Sequence, residues 1–131
     1  MSQENVEVVS RMYEAFGRGD AAAALSYVDP AVVTDPRHRV DGRVGHGHDE
    51  MVAILGEWLG TWDEWSQEIE EIRDLGDRVL VIDTQRGRGK GSGIEWEGRF
   101  ANLYEVQRGK ITRMTIYDDL RAAFEAAGLS E

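Results

Sequence analysis

The chain has 131 residues, no cysteine and a formal net charge of −10. That length fits one domain over residues 1–131, able to bury roughly two-thirds of its unfolded surface. The lack of cysteine excludes disulfides, a thiol nucleophile and thiolate metal sites, and the acidic balance disfavours nucleic acid as a partner. Glu4 and Glu7 interrupt the first valines and no apolar run approaches the length of a membrane span, so a cytoplasmic chain with no membrane partner is expected.

Val6, Val9, Tyr13 and Phe16 recur at helical spacing, with Ser2 as N-cap and Gly17 as stop. Asp20 caps a second helix over residues 21–27, ended by Asp29-Pro30. Residues 31–33 form a short strand leading into Thr34-Asp35-Pro36. Residues 37–48 are polar and without period, hence a loop, and a third helix follows with Met51, Leu55, Trp58, Leu59 and Trp62 on one stripe. From Trp65 the pattern turns to strands. Residues 65–73 form one, and Gly76-Asp77 a turn. Residues 78–86 form a strand apolar on both faces and therefore covered. Residues 94–107 place Trp96, Phe100, Asn102 and Tyr104 on one face. Arg108-Gly109 turns into a last strand over residues 110–117, and Asp118 or Asp119 caps a closing helix ended by Gly128. This order implies an α+β fold, its mixed, mostly antiparallel and strongly curved sheet wrapped as a cone around three N-terminal helices.

Asp35 is the main candidate for chemistry. Pro36 holds it extended at the end of an apolar strand, where desolvation would raise its pKa towards that of a general base. Asn102, between Phe100 and Tyr104, supplies an amide N–H for a developing oxyanion without ever ionising. The plainer reading is that Asp35 bonds an arginine such as Arg37 or Arg39, which leaves a binding module instead of an acid–base enzyme. Met12, Tyr13, Phe16, Leu55, Leu59, Trp96 and Phe100 are the expected pocket walls. His38, His46 and His48 cluster in the loop as cap and solvated residues; neither a metal nor an organic cofactor is expected. Residues 87–93 alternate glycine with Arg88, Lys90 and Ser92, which suits a hairpin tip or a close backbone contact. Asp83 is a further buried carboxylate, with Arg99 as its cross-strand partner.

Tyr13-Glu14-Ala15-Phe16 running into Gly19-Asp20, then Asp29-Pro30, Gly109-Lys110-Ile111 and Ala126-Ala127-Gly128-Leu129, resembles the nuclear-transport-factor-2-like superfamily, and within it the SnoaL-like proteins of bacteria. The resemblance covers essentially the whole chain. It implies a cone fold used by isomerases, cyclases, hydrolases, dehydratases and non-catalytic binders. Carried over from ketosteroid isomerase, the base aspartate falls on Asp35 and the oxyanion-hole aspartate on Asn102. The oxyanion-hole tyrosine falls on Met12, one position from Tyr13. The base of the polyketide cyclases falls near Ile116, two residues before Asp118, and Asp83-Thr84-Gln85 lacks the Arg-x-Asp of the epoxide hydrolases. The expectation is a cofactor-free acid–base enzyme for a small apolar or carbonyl-containing molecule. The alternative is a ligand-binding or interaction module. A homodimer is expected, because the late strands carry apolar residues on both faces, Leu103 against Tyr104 and Ile116 against Tyr117.

Overall fold

In the computed structural model, residues 2–129 are described, Ser2 by its backbone alone. The elements are α1 (Ser2–Gly17), α2 (Ala21–Leu25), β1 (Val28–Pro36), β2 (Gly45–His46), α3 (Gly47–Leu59), β3 (Trp62–Asp74), β4 (Arg78–Gly89), β5 (Glu95–Gln107), β6 (Lys110–Tyr117) and α4 (Leu120–Ala126). The expected Ser2 cap lies outside the described side chains. Asp20 does cap α2, accepting from the Ala23 amide, and Asp119 caps α4, accepting from the amides of Arg121 and Ala122.

The six strands form one sheet in the order β2-β1-β6-β5-β4-β3. β3 to β6 are successive antiparallel hairpins, and β1 lies parallel to β6. The sheet is curved and unclosed, with α1 and α3 against its concave face, as the sequence implied. Arg108 and Gly109 both take positive φ, 53° and 76°, which joins β5 to β6 in the tight turn that matches strand twist.

Two cores follow from strand alternation. On the concave side Val79, Val81, Phe100, Tyr104, Met114 and Ile116 meet Val9 and Met12 of α1 and Met51 of α3. On the convex side Leu80, Ile82, Leu103 and Tyr117 are covered by Ala123, Phe124 and Ala127 at the C-terminal end. The apolar outer residues behind the homodimer expectation are therefore already covered by the chain's own α4.

Several boundaries differ from the sequence reading: β1 starts at Val28 and not at residue 31, β2 and the start of α3 lie within the expected 37–48 loop, and β4 runs on to Gly89. α2 stops at Leu25, and Asp29-Pro30 lies inside β1. The β1–β6 register is irregular between Val28 and Val33, so the missing N–H of Pro30 removes no regular ladder bond. Trp62 opens β3 instead of extending α3. Its ring stacks on Trp96 with centroids 4.7 Å apart. It also fills the space beside Gly87, where a Cβ would come within 2.7 Å of the indole. The glycine tract thus serves as the close backbone contact and, through Gly91 and Gly93 at positive φ, as the hairpin tip.

Candidate functional site

A cavity of about 230 Å³ opens between α1, α3 and the concave sheet. Its walls include Met12, Tyr13, Phe16, Leu55, Leu59 and Phe100, all expected from sequence, and Asn102 stands among them. Trp96 does not. It packs behind Trp58 and Phe100, with ring centroids 5.6 and 5.9 Å away, and its stacking on Trp62 holds it out of the lining.

Asp35 also misses the cavity. In the parallel β1–β6 pair Asp35 lies opposite Thr115 and Pro36 opposite Ile116. Ile116 faces the concave core, so alternation turns Asp35 to the convex side. There its Oδ2 accepts from Arg37 Nε at 3.1 Å and from Arg113 Nη2 at 3.0 Å. The expectation of an aspartate facing a substrate at this position is therefore corrected: Asp35 is the centre of an ion-pair cluster.

The chain after β1 turns back, with the Arg39 amide bonded to the Pro36 carbonyl, and brings His38 to the cavity wall instead. The His38 ring meets Trp58 and Phe100 edge to face, centroids 5.1 and 5.9 Å away. Its Nδ1 is buried without a partner, and no described residue bonds its Nε2. Burial, and then the charge of Arg39, lowers its pKa from the usual histidine value, against a weaker opposing pull from Asp118. The three histidines diverge. His48 Nε2 lies 2.9 Å from the Val28 carbonyl, and His46 precedes α3 without a side-chain cap bond. Among the described residues no group of three or more His, Asp or Glu side chains is placed to hold a metal.

The polar floor has two parts. In the first, the Tyr13 and Tyr104 hydroxyls lie 2.5 Å apart, with the rings edge to face. Burial raises both phenol pKa values, Tyr13's well above the ordinary range, so both hydroxyls stay protonated at neutral pH. Asn102 lines the same cavity and opposes the upward shift at Tyr13, so the two candidate donors act on one region of the wall. Met12, the position matched to the oxyanion-hole tyrosine, is an apolar wall; its neighbour Tyr13 carries the hydroxyl.

In the second part, Asp83 accepts through Oδ2 from Gln67 Nε2 at 2.5 Å and Gln85 Nε2 at 3.1 Å. Gln85 Oε1 in turn accepts from the indoles of Trp58 at 2.8 Å and Trp65 at 3.0 Å. Asp83 is fully buried and desolvation raises its pKa, with the two glutamine bonds opposing. Its expected partner Arg99 points to the other face and pairs with Glu70, and among the described residues no arginine pairs with Asp83. The sequence reading makes His38 a solvated loop residue and gives Gln67 and Gln85 no place in the site; the structure puts all three in the cavity wall. The parity of β4 carries the signal for Gln85, since Val79, Val81, Asp83 and Gln85 share one face.

A sequence profile of the SnoaL-like domain family matches residues 9–114. No curated protein matches the chain. Among solved structures, a nuclear-transport-factor-2-like protein from Burkholderia xenovorans is 27% identical with a TM-score of 0.78, covering 97% of this chain and 98% of its own. A second such protein, from Burkholderia thailandensis, is 25% identical with a TM-score of 0.79, covering 92% and 95%. A candidate SnoaL-like polyketide cyclase from Jannaschia shares the fold at a TM-score of 0.79 and 18% identity, over 99% and 95%. With four-fifths of its length matched and the cone fold in place, this chain belongs to the SnoaL-like domain family.

Proposed function

We propose that the concave cavity holds a small, largely apolar molecule through a carbonyl-type oxygen received by Asn102 and the Tyr13–Tyr104 hydroxyl pair. The observation that carries this reading is that Asn102, Tyr13 and Tyr104 line one largely aromatic and aliphatic cavity, in which His38, Gln67 and Gln85 are the other polar side chains. A buried N–H or O–H that gains an acceptor stabilises a complex by roughly 0.5–1.5 kcal/mol, and an apolar body supplies the rest.

An enzymatic version of this pocket requires a base other than Asp35, and His38 is the group that supports one. Its ring is partly buried, bonds to no described residue and shares the wall with Asn102. A neutral imidazole there takes the proton from a carbon beside the bound carbonyl, while the donors stabilise the enolate. The test is hydrogen–deuterium exchange at C2 of 1-indanone, followed by NMR. Exchange above the buffer rate that is lost in His38→Gln supports proton transfer. Binding without exchange above buffer reduces the chain to a ligand-binding module. The proposed homodimer uses the charged outer surface of β3 to β5, since α4 occupies the apolar part of that face.

A further inference from the structure

We infer that Gln67 is a ligand-selecting acceptor in the cavity, oriented by Asp83, and that the ligand it selects carries an O–H or N–H donor. The inference deepens the reading above and rests on the cavity being a small-molecule site. An ionised carboxylate only accepts hydrogen bonds. Both glutamine amides therefore turn their NH₂ groups to Asp83 Oδ2 and their oxygens away from it. Gln67 and Gln85 lie directly opposite each other on β3 and β4, so a single carboxylate two residues from Gln85 reaches both.

The two oxygens then have different fates. Gln85 Oε1 is occupied by two indole N–H groups, one from α3 and one from β3. Gln67 Oε1 accepts from no described residue, and Gln67 lines the cavity. The pocket consequently presents one fixed acceptor as well as the Asn102 and tyrosine donors. An acceptor left idle against a ligand with no donor loses its water without recompense, whereas a hydroxyl or N–H at that point restores the bond. Asp83 Oδ1 is buried and without a partner, so the carboxylate's hold on side-chain donors is concentrated on the glutamine side. Asp83 is a positioning residue on this account: it acts on the ligand through the direction of the Gln67 amide.

The experiment compares 4-ethylphenol with 4-ethyltoluene, which differ by a hydroxyl in place of a methyl, by calorimetry on the full chain. In Gln67→Met the phenol-to-toluene affinity ratio is expected to fall about three- to tenfold, the worth of one hydrogen bond, with toluene affinity held. Asp83→Asn is expected to lower the same ratio and leave toluene binding in place, because an asparagine no longer forces the Gln67 amide one way. A ratio unchanged in Gln67→Met overturns the inference while leaving the cavity reading intact. Equal loss of both compounds in Asp83→Asn makes Asp83 merely structural and overturns its positioning role. Failure of both compounds to bind the wild-type chain overturns the cavity reading itself and the inference with it. Should Asp83→Asn not fold, side-chain amide NMR of the wild-type chain decides its role: restricted NH₂ rotation at Gln67 and Gln85 supports it, and a freely rotating Gln67 amide overturns it.

Discussion

The Asp35 carboxylate and the Arg113 guanidinium meet at 3.0 Å across the parallel β1–β6 pair, with Arg37 closing on the same oxygen at 3.1 Å. The Asp35 side chain keeps 11% of its exposure and Arg113 34%, so the pair is partly desolvated. Asp35→Asn is expected to lower stability by about 1–3 kcal/mol, since it leaves a shielded guanidinium short of its charge partner. Ligand affinity is expected to hold. Urea denaturation measures the first and calorimetry the second; unchanged stability with lost binding would return Asp35 to the site.

His38 gives the fold a pH-dependent component. Its folded pKa lies below the ordinary 6.5, so between those two values the unfolded chain binds more protons than the folded one. Stability from this residue is full above 6.5 and is lost as pH falls through the window towards the folded value. His38→Gln is expected to flatten that part of the stability–pH curve. Thermal melts of both proteins across the window show it as a shrinking difference in slope, and parallel curves would contradict it.

Gln85 is the junction between α3 and the sheet, because its one carbonyl oxygen serves both Trp58 and Trp65. Gln85→Leu keeps the bulk and removes both this acceptor and the Nε2–H bond to Asp83. Each indole N–H left unpaired costs about 1–3 kcal/mol, less where water reaches it. The expected result is a lowered urea midpoint with an unchanged slope, along with a shift in tryptophan emission.

Gly87 is expected to tolerate no side chain. A Cβ there would come 2.7 Å from the Trp62 ring, whose stacking on Trp96 fixes the end of the β3–β4–β5 sheet. Gly87→Ala should cost about 1–3 kcal/mol through overpacking, whereas Gly91→Ala, where a Cβ meets nothing but φ is +82°, should cost about 1–2 kcal/mol through backbone strain. Circular dichroism melts of the two variants separate these effects from a general intolerance of the tract.

Most of the fold was legible because alternation and helical spacing are local. The two cores follow from the parity of Val79 to Ile82 on β4 and of Ala101 to Tyr104 on β5, and the caps from Asp20 and Asp119. The facing of Asn102 and Tyr13 into the cavity is legible in the same way. Of the two sequence readings of Asp35, the plainer one, pairing with Arg37, is what the structure has; the choice between them depends on register with β6, a strand some 80 residues later. A residue-by-residue reading fixes that Asp35 and Pro36 face oppositely, without saying which of them faces inward. The inward direction of His38, read from sequence as a solvated loop residue, is not legible for a related reason: a side chain beyond a strand end takes its direction from the turn, which carries no period.

The central claim is that Asn102 receives a carbonyl oxygen inside the cavity, and the most direct measurement is the affinity of 1-indanone relative to indane, in the wild-type chain and in Asn102→Leu. The two compounds share a shape and differ by the carbonyl. The ketone-to-hydrocarbon ratio is expected to fall about three- to tenfold on the substitution while indane binding is retained. An unchanged ratio, or no measurable binding of either compound to the wild-type chain, would contradict it.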